Sequence, residues 1–357
     1  MQIPVLTDYS PSYFDGKRVL VRVDYNVPLQ KRGEKWLVGD DSRIRFSLDT
    51  LGYLVFSKAR VILLSHLGKP VSLAPVAQKL NELAFGLIGY KRKVKFCPKI
   101  IGGEVRRWVK NMEKGDILLL ENLRFEKGEE ENDPIFAKRL AKLADFYVND
   151  AFSCSHRRHA SIVGIPRILP HAVGAGFEKD VETLKNILEH PRRSVVLVLG
   201  GVKEDKLETA QKMVKWVDKI LVGGKLPQAI FNFHPPAGGS NFKNNDKVLV
   251  GKLREDGQDI SKETIGQFSK EIKKAGTVIF AGPIGNTKAN IFTGTKELFE
   301  VAVASKAFVL AGGGDTQSAL TKLGLADNMD YIVSGGGAML SFLANGTLPG
   351  IEALKTK

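Results

Sequence analysis

The sequence predicts an α/β protein built as two doubly wound parallel-sheet domains joined by a hinge helix. Three observations predict it. Short, near-continuously apolar runs recur between amphipathic stretches of helical period, the pattern of strands covered on both faces by crossover helices. A chain of 357 residues is too long for one ordinary core. Two triple glycines, Gly312–Gly314 and Gly335–Gly337, each stand between an apolar run and a helical stretch. At such a junction of a Rossmann-like sheet, bare backbone amides and a helix N-terminus favour phosphate.

In chain order, the strand candidates of the first half are RVLVRVDYN, ARVILLSH, KVKFCP, DILLLEN and FYVND. Those of the second half are SVVLVLGG, KILVGG, KVLVG, TVIFAGP, FVLAGGG and YIVSGGG, so each half holds about six strands. Helical candidates lie between them: SLAPVAQKLNELA, DPIFAKRLAKLA, SKETIGQFSKEIKKA and GTKELFEVAVA. The seam falls in GAGFEKDVETLKNILEHPRR, a charged amphipathic helix that ends at His190-Pro191 before a fresh strand. The chain therefore divides into a first domain (1–172), a hinge helix and linker (173–193), a second domain (194–345) and a C-terminal segment (346–357). The stretch 231–246, rich in Pro, Gly and Asn, reads as a loop longer than connections usually are.

The halves differ in chemistry. Of 36 glycines, 22 lie after residue 199, whereas the conspicuous Arg and His positions cluster before residue 160. One half is built around glycine-lined backbone and the other around cationic side chains. The net charge of +14 suits polyanions, but the cations are spread along the chain without a basic arm, zinc spacing or aromatic RNA-binding signature. Small anions are the better expectation, with no nucleic acid partner. Cys97 and Cys154 are too few for a disulfide framework, and no apolar run approaches membrane-spanning length. With no secretory signal at the N-terminus, the reading is a cytoplasmic protein without a membrane partner.

In open α/β sheets ligands bind beyond the carboxyl ends of the strands. In the first half those ends carry Asp24 and Asn26, His66 with Lys69, Arg124, and Arg157 between His156 and His159, with Arg43 in DDSRIR. Donors and cations converging from five such elements would hold one molecule bearing phosphate and carboxylate groups. Singly, each has a plainer reading: a solvated arginine, a turn shaped by Asp24 and Asn26, a structural histidine at 66.

These motifs also carry a resemblance. KRVLVRVDYNVPL, DDSRIR, VILLSHLGKP, ILLLENLRFEKGEEENDPIFAKRLA, YVNDAFSCSHRRHAS and GIPRILPHAVGAGFEKDVETL, followed by GPIG, AGGGDT and SGGGA, resemble in order the successive motifs of the phosphoglycerate kinases. The resemblance spans essentially the whole chain. It implies reversible, Mg²⁺-dependent phosphoryl transfer between 1,3-bisphosphoglycerate with ADP and 3-phosphoglycerate with ATP, in glycolysis and gluconeogenesis, by a monomer whose domains close on each other.

Residue by residue, it implies 3-phosphoglycerate binding on the first domain by Asp24, Tyr25, Asn26, Arg43, His66, Leu67, Gly68, Lys69, Arg124 and Arg157. Arg43 would stand nearest the transferred group. Nucleotide would be held by Lys203, Lys206, Gly223, Gly224, Gly313, Gly314, Asp315, Thr316 and Gly335, with Asp315 on Mg²⁺. Arg43, Lys203, Gly336 and Gly337 would surround the phosphoryl in transit, and the segment 346–357 would return to the first domain. Three departures stand out. Lys69 replaces the usual arginine, losing bidentate geometry and weakening the hold at that corner. Lys206 follows Lys203 one residue sooner than usual. Lys288 stands where a ribose-holding glutamate is usual, which with the abbreviated 231–260 region puts base preference in question.

A G-x-G-x-x-G oxidoreductase and a Walker-type NTPase are both unsupported, since neither spacing occurs after a strand. The alternative that remains is a catalytically weak relative that binds a phosphometabolite or nucleotide.

Overall fold

The computed structural model describes residues 3–68, 70–230 and 245–355. They form two compact units, one running to Val181 and resuming at Leu348, the other spanning Glu182–Thr347. The boundary falls inside the helix Ala175–Glu189.

The first unit contains β1 (Arg18–Val23), a hairpin of β2 (Leu29–Arg32) and β3 (Lys35–Val38), then β4 (Arg60–Leu64), β5 (Lys95–Cys97), β6 (Ile117–Leu120), β7 (Phe146–Asp150) and β8 (His171–Val173). Six of these form one parallel sheet in the order β5-β6-β4-β1-β7-β8. The apolar runs bury both faces as expected: every residue of β6 and all but the first of β1 are buried. Two elements escape the sequence pattern. The strand β8 has only three residues, and the antiparallel hairpin β2–β3 is mostly exposed, so neither carries an apolar run.

The second unit contains β9 (Val195–Leu199), β10 (Lys219–Val222), β11 (Val248–Val250), β12 (Thr277–Ala281), β13 (Phe308–Gly312) and β14 (Tyr331–Val333). All six expected strands form, in one parallel sheet of order β11-β10-β9-β12-β13-β14. One face packs on the helices Lys262–Lys273 and Thr293–Val303, with the Phe280 and Phe299 rings 4.3 Å apart. Both sheets reverse their winding direction beside the first strand of their unit, which opens a crevice at the carboxyl ends. Most of the long loop, 231–244, lies outside the described residues, as does Lys69. Among the described residues no helix is long and apolar enough to cross a membrane.

The end of β7 shows how the junction helix is seated. Asp150 is half-buried with its carboxyl turned inward; its Oδ1 accepts from the Phe177 amide at 3.1 Å, while the buried Oδ2 has no hydrogen-bond partner. Burial pushes its pKa up to about 6. A carboxyl raised in this way favours the folded state while protonated, and that contribution is lost as pH rises from about 4 to about 6. Asp150→Asn keeps the acceptor without the charge. We expect it to remove this slope and to add up to about 3 kcal/mol above pH 6, measured by urea unfolding across the interval. An unchanged pH slope would sink the idea.

Candidate functional site

In the first unit, the loops after β1, β4, β6 and β7 bring the sequence-predicted residues to one end of the sheet. Asp24 follows β1 directly and is nearly buried. Its Oδ2 accepts from Arg43 Nη1 at 2.5 Å and from the Ser153 hydroxyl, and its Oδ1 accepts from the Asn26 amide at 3.0 Å. Burial alone would raise this carboxyl, but Arg43, His66 and Ser153 outweigh it and hold the group well below the usual range. Asp24 is therefore an anion that fixes Arg43 from its own sheet.

His66 lies 3.9 Å from Asp24, and its Nδ1 is 3.3 Å from Arg22 Nη2. Burial, and then Arg22, Arg124 and Arg157, push the imidazole well below its ordinary value. His159 is driven down to about 4 by burial and the same three arginines. Both imidazoles are neutral at pH 7, and the three guanidiniums that act on them converge here. The glycine loop closes on the same spot: Gly68 N–H donates to Asn26 Oδ1 at 2.8 Å, and Leu67 N–H to Asn122 Oδ1 at 3.2 Å. Arg124 pairs with the half-exposed Glu130, yet its Nε is buried without a partner. Tyr25 takes a different part from its neighbours. Its ring is buried and its hydroxyl meets Ser47, so it braces the loop from behind.

Sequence reasoning missed the layer beneath. Arg22, the last residue but one of β1, is 1% exposed, and its Nε donates to Ser161 Oγ at 2.8 Å. Ser161 in turn donates its hydroxyl (2.5 Å) and amide (2.9 Å) to the fully buried Glu129. Glu129 is 4.0 Å from Arg22 and 3.9 Å from His159. The one available signal was a charged residue inside an otherwise apolar strand, which must find a partner. Asp24, His66 and Cys154 also lie within 4.8 Å of one another, residue types that ligate metals. With Arg22 and Arg43 beside them the local field favours an anion instead.

In the second unit the glycines are forced by close approach. A Cβ on Gly336 would stand 2.7 Å from Gly312 O and 3.1 Å from Gly313 Cα, so the two triple-glycine turns back onto each other. This sets the N-termini of the helices Gly314–Leu323 and Gly336–Asn345 side by side. Their first-turn amides have no partner within the helix and face the same crevice with partial positive charge. Gly313 at φ +104° needs the left-handed region outright. Likewise Gly224, at φ +63°, would drive a Cβ to 2.6 Å from Gly201 N, which explains the Gly223–Gly224 pair.

Lys206 Nζ donates to Gly200 O (2.8 Å) and Ala281 O (2.9 Å), bridging the carboxyl ends of β9 and β12. Burial pushes it down to about 8, with Asp315 and Asp205 opposing and Lys203 assisting. Lys203, Lys206 and Asp315 are thus electrostatic neighbours, the first and last of them exposed. The Thr316 hydroxyl ties the turn to the sheet: it accepts from Gly282 N–H and donates to Gly312 O. Beside Asp315 opens a cleft lined by Thr287, Asn290, Phe292, Ser318 and Lys322. Lys288 lies in the short turn Thr287–Ala289 that borders it; its side chain is outside the described set. The collided-Cβ cradle, the paired helix termini and the hard oxygen donor of Asp315 fit a nucleotide phosphate chain with Mg²⁺.

Comparison with known proteins agrees with this chemistry. The family model described as phosphoglycerate kinase matches residues 9–254 and 237–346. A phosphoglycerate kinase of Dictyoglomus turgidum is 39% identical, the match covering 96% of each chain. One from Aquifex aeolicus is 38% identical, covering 96% of each. Among solved structures, phosphoglycerate kinase from Coxiella burnetii superposes with a TM-score of 0.76 at 31% identity, covering 99% of both chains. That from Pyrococcus horikoshii superposes at 0.81 with 28% identity, covering 99% and 98%. With its two crevices and a match along nearly its whole length, the chain belongs to the phosphoglycerate kinase family.

Proposed function

We propose that this protein catalyses reversible phosphoryl transfer between ATP and the carboxylate of 3-phosphoglycerate, as a cytoplasmic monomer in glycolysis and gluconeogenesis. The observation that carries the reading is that each sheet has its own anion cradle, guanidiniums in the first unit and helix amides with lysines in the second. The acceptor carboxylate is already ionised, so no general base is needed, and the work is placement and charge stabilisation. Asp24, Asn26, His66, Arg124 and Arg157, with Lys69 and the Leu67-Gly68 amides, hold the acceptor. Arg43, anchored by Asp24, neutralises charge on the transferring group from the acceptor side. Lys203 and the Gly335–Gly337 amides do so from the nucleotide side, and Lys206 with the Gly313–Thr316 turn holds the phosphate chain. The Gly223–Gly224 turn lines the slot for the base. Mg²⁺, held by Asp315, would neutralise phosphate charge when bound. Transfer requires the two units to close about the 173–193 segment, and closure excludes the water that would hydrolyse ATP.

A coupled assay with 3-phosphoglycerate, Mg²⁺ and a panel of nucleoside triphosphates tests this. Turnover supports it, and the panel reads the consequence of Lys288. A folded protein without turnover on any nucleotide would favour the alternative, a phosphometabolite- or nucleotide-binding relative.

Lys206 adds a pH signature. A lysine depressed to about 8 takes up its proton fully only below that value, and a bound phosphate chain favours the charged form. Nucleotide affinity should therefore fall as pH rises through 8, by up to about tenfold per unit. Titration calorimetry between pH 7 and 9.5 reads it. Lys206→Met should lower affinity at pH 7 and abolish the dependence; a variant retaining the slope would assign it elsewhere.

A further inference from the structure

The first unit's anion cleft occupies the carboxyl ends of its strands; the opposite edge of the same sheet has a different character. The register sets Arg18 beside Arg60 and Lys95 beside Leu118, so β1, β4, β5 and β6 all start at that edge. Its loops are laced together. Gly16 N–H donates to Lys58 O (3.1 Å), Arg60 N–H to Lys17 O (2.8 Å) and Gly115 N–H to Ala59 O (2.9 Å). The helices Leu48–Phe56 and Ala74–Ile88 end there as neighbours, since a Cβ on Gly52 would sit 3.6 Å from Ile88.

Their final turns expose large apolar side chains: Phe56 is 78% exposed, Phe85 67% and Leu87 56%. Exposed cations follow at once, Lys58 after the first helix and Lys91 and Lys93 after the second. The acids of this edge are already engaged: Asp15 by Lys114, Glu113 and Asp116 by Arg92, and Asp145 by Arg18. Among the described residues Lys58, Lys91 and Lys93 have no carboxylate at ion-pair distance. A single exposed phenylalanine needs no explanation. Three apolar side chains at adjacent helix ends, among lysines outside any ion pair, match the boundary of an anionic bilayer, where apolar groups enter the headgroup layer and ammonium groups meet lipid phosphate.

We propose that this edge of the first unit docks reversibly on an anionic lipid surface, with Phe56, Phe85 and Leu87 inserted and Lys58, Lys91 and Lys93 on the phosphates. Nucleic acid fits less well, because Leu87 has no stacking face and the aromatics stand on helix ends rather than on a platform. A second copy fits less well too, since an isologous contact would set like charges against each other. The acceptor cleft, at the far end of the same strands, stays open on a docked molecule. In the sequence these cations are dispersed over residues 58–93, and only the parallel topology collects them.

The test is co-sedimentation of the full chain with vesicles of phosphatidylcholine alone and of phosphatidylcholine with phosphatidylglycerol. Binding is expected only to the latter. The partition coefficient should drop at least about tenfold both in Phe56→Ser/Phe85→Ser/Leu87→Ser and in Lys58→Glu/Lys91→Glu/Lys93→Glu. Melting temperatures should stay at the parent value, because all six residues are exposed. Absence of binding would overturn the proposal. So would binding that survives the apolar triple variant, which reports only the attraction of a +14 chain. Self-association lost in the apolar variant, without vesicle binding, would assign the patch to a second copy instead.

Discussion

Arg43→Ala is expected to lower kcat by about 10³-fold or more while leaving nucleotide affinity within about twofold, the scale at which an arginine on a transferring phosphoryl group acts. The side chain is 20% exposed and held at its Nη1 by Asp24 Oδ2. It is therefore already oriented, with little rotamer entropy left to lose on meeting an anion. Asp24 itself is fixed by Ser153, the Asn26 amide and His66, so the guanidinium is braced through a chain of contacts to the sheet. Arg43→Lys should recover little of the loss, because an ammonium cannot keep Asp24 and face phosphate with the same geometry. Steady-state kinetics with 3-phosphoglycerate, alongside nucleotide titration, measure both halves of the expectation. A kcat within tenfold of the parent would remove Arg43 from the reaction centre.

Gly336→Ala should be nearly as damaging, for a steric reason. Its Cβ would fall 2.7 Å from Gly312 O, 3.0 Å from Gly312 C and 3.1 Å from Gly313 Cα, all backbone atoms of the opposing turn. The two turns must separate, and with them the two helix N-termini proposed to receive the phosphate chain. We expect a loss of about 1–3 kcal/mol in stability. The fall in kcat should be about 10²-fold or more, the scale of losing a preorganised donor. Binding of 3-phosphoglycerate, proposed for the other unit, should be unchanged. Gly266→Ala is the control: Gly266 lies inside a helix with nothing within 4 Å of the added carbon, so stability should hold or rise slightly. Urea unfolding and turnover of the pair read the contrast. Equal behaviour of the two variants would mean the turns tolerate separation.

Much of the architecture was legible in the chain. All six strands of the second sheet and five of the six in the first coincide with apolar runs, because strands buried on both faces must be apolar throughout. The sixth, β8, escaped for want of length: three residues supported by its pairing with β7 and the bridge to Val5 carry no pattern of their own. Of the site candidates, Asp24 and His66 were visible because they stand at the end of an apolar run, and Arg124 and Arg157 because they lie in the loops that follow one. What the motif does not tell is where the Thr316 hydroxyl goes. Its place in the AGGGDT motif points to phosphate, yet its hydroxyl is spent on Gly282 and Gly312.

Apolar periodicity and the position of glycine are local properties, written within a few residues of each element, and from them alone came two parallel α/β sheets, their crevices and the identity of the loops that line them. Contact is a property of distance between residues far apart in the chain. Arg22 reaches Ser161 across 139 positions and His66 across 44. Gly313 and Gly336, 23 positions apart in the sequence, meet at 3.3 Å once a Cβ is imagined. Which charges neutralise one another, which imidazoles stay uncharged, and where scattered lysines gather were decided only when the sheets formed, because those energies depend on separation and burial rather than on order along the chain.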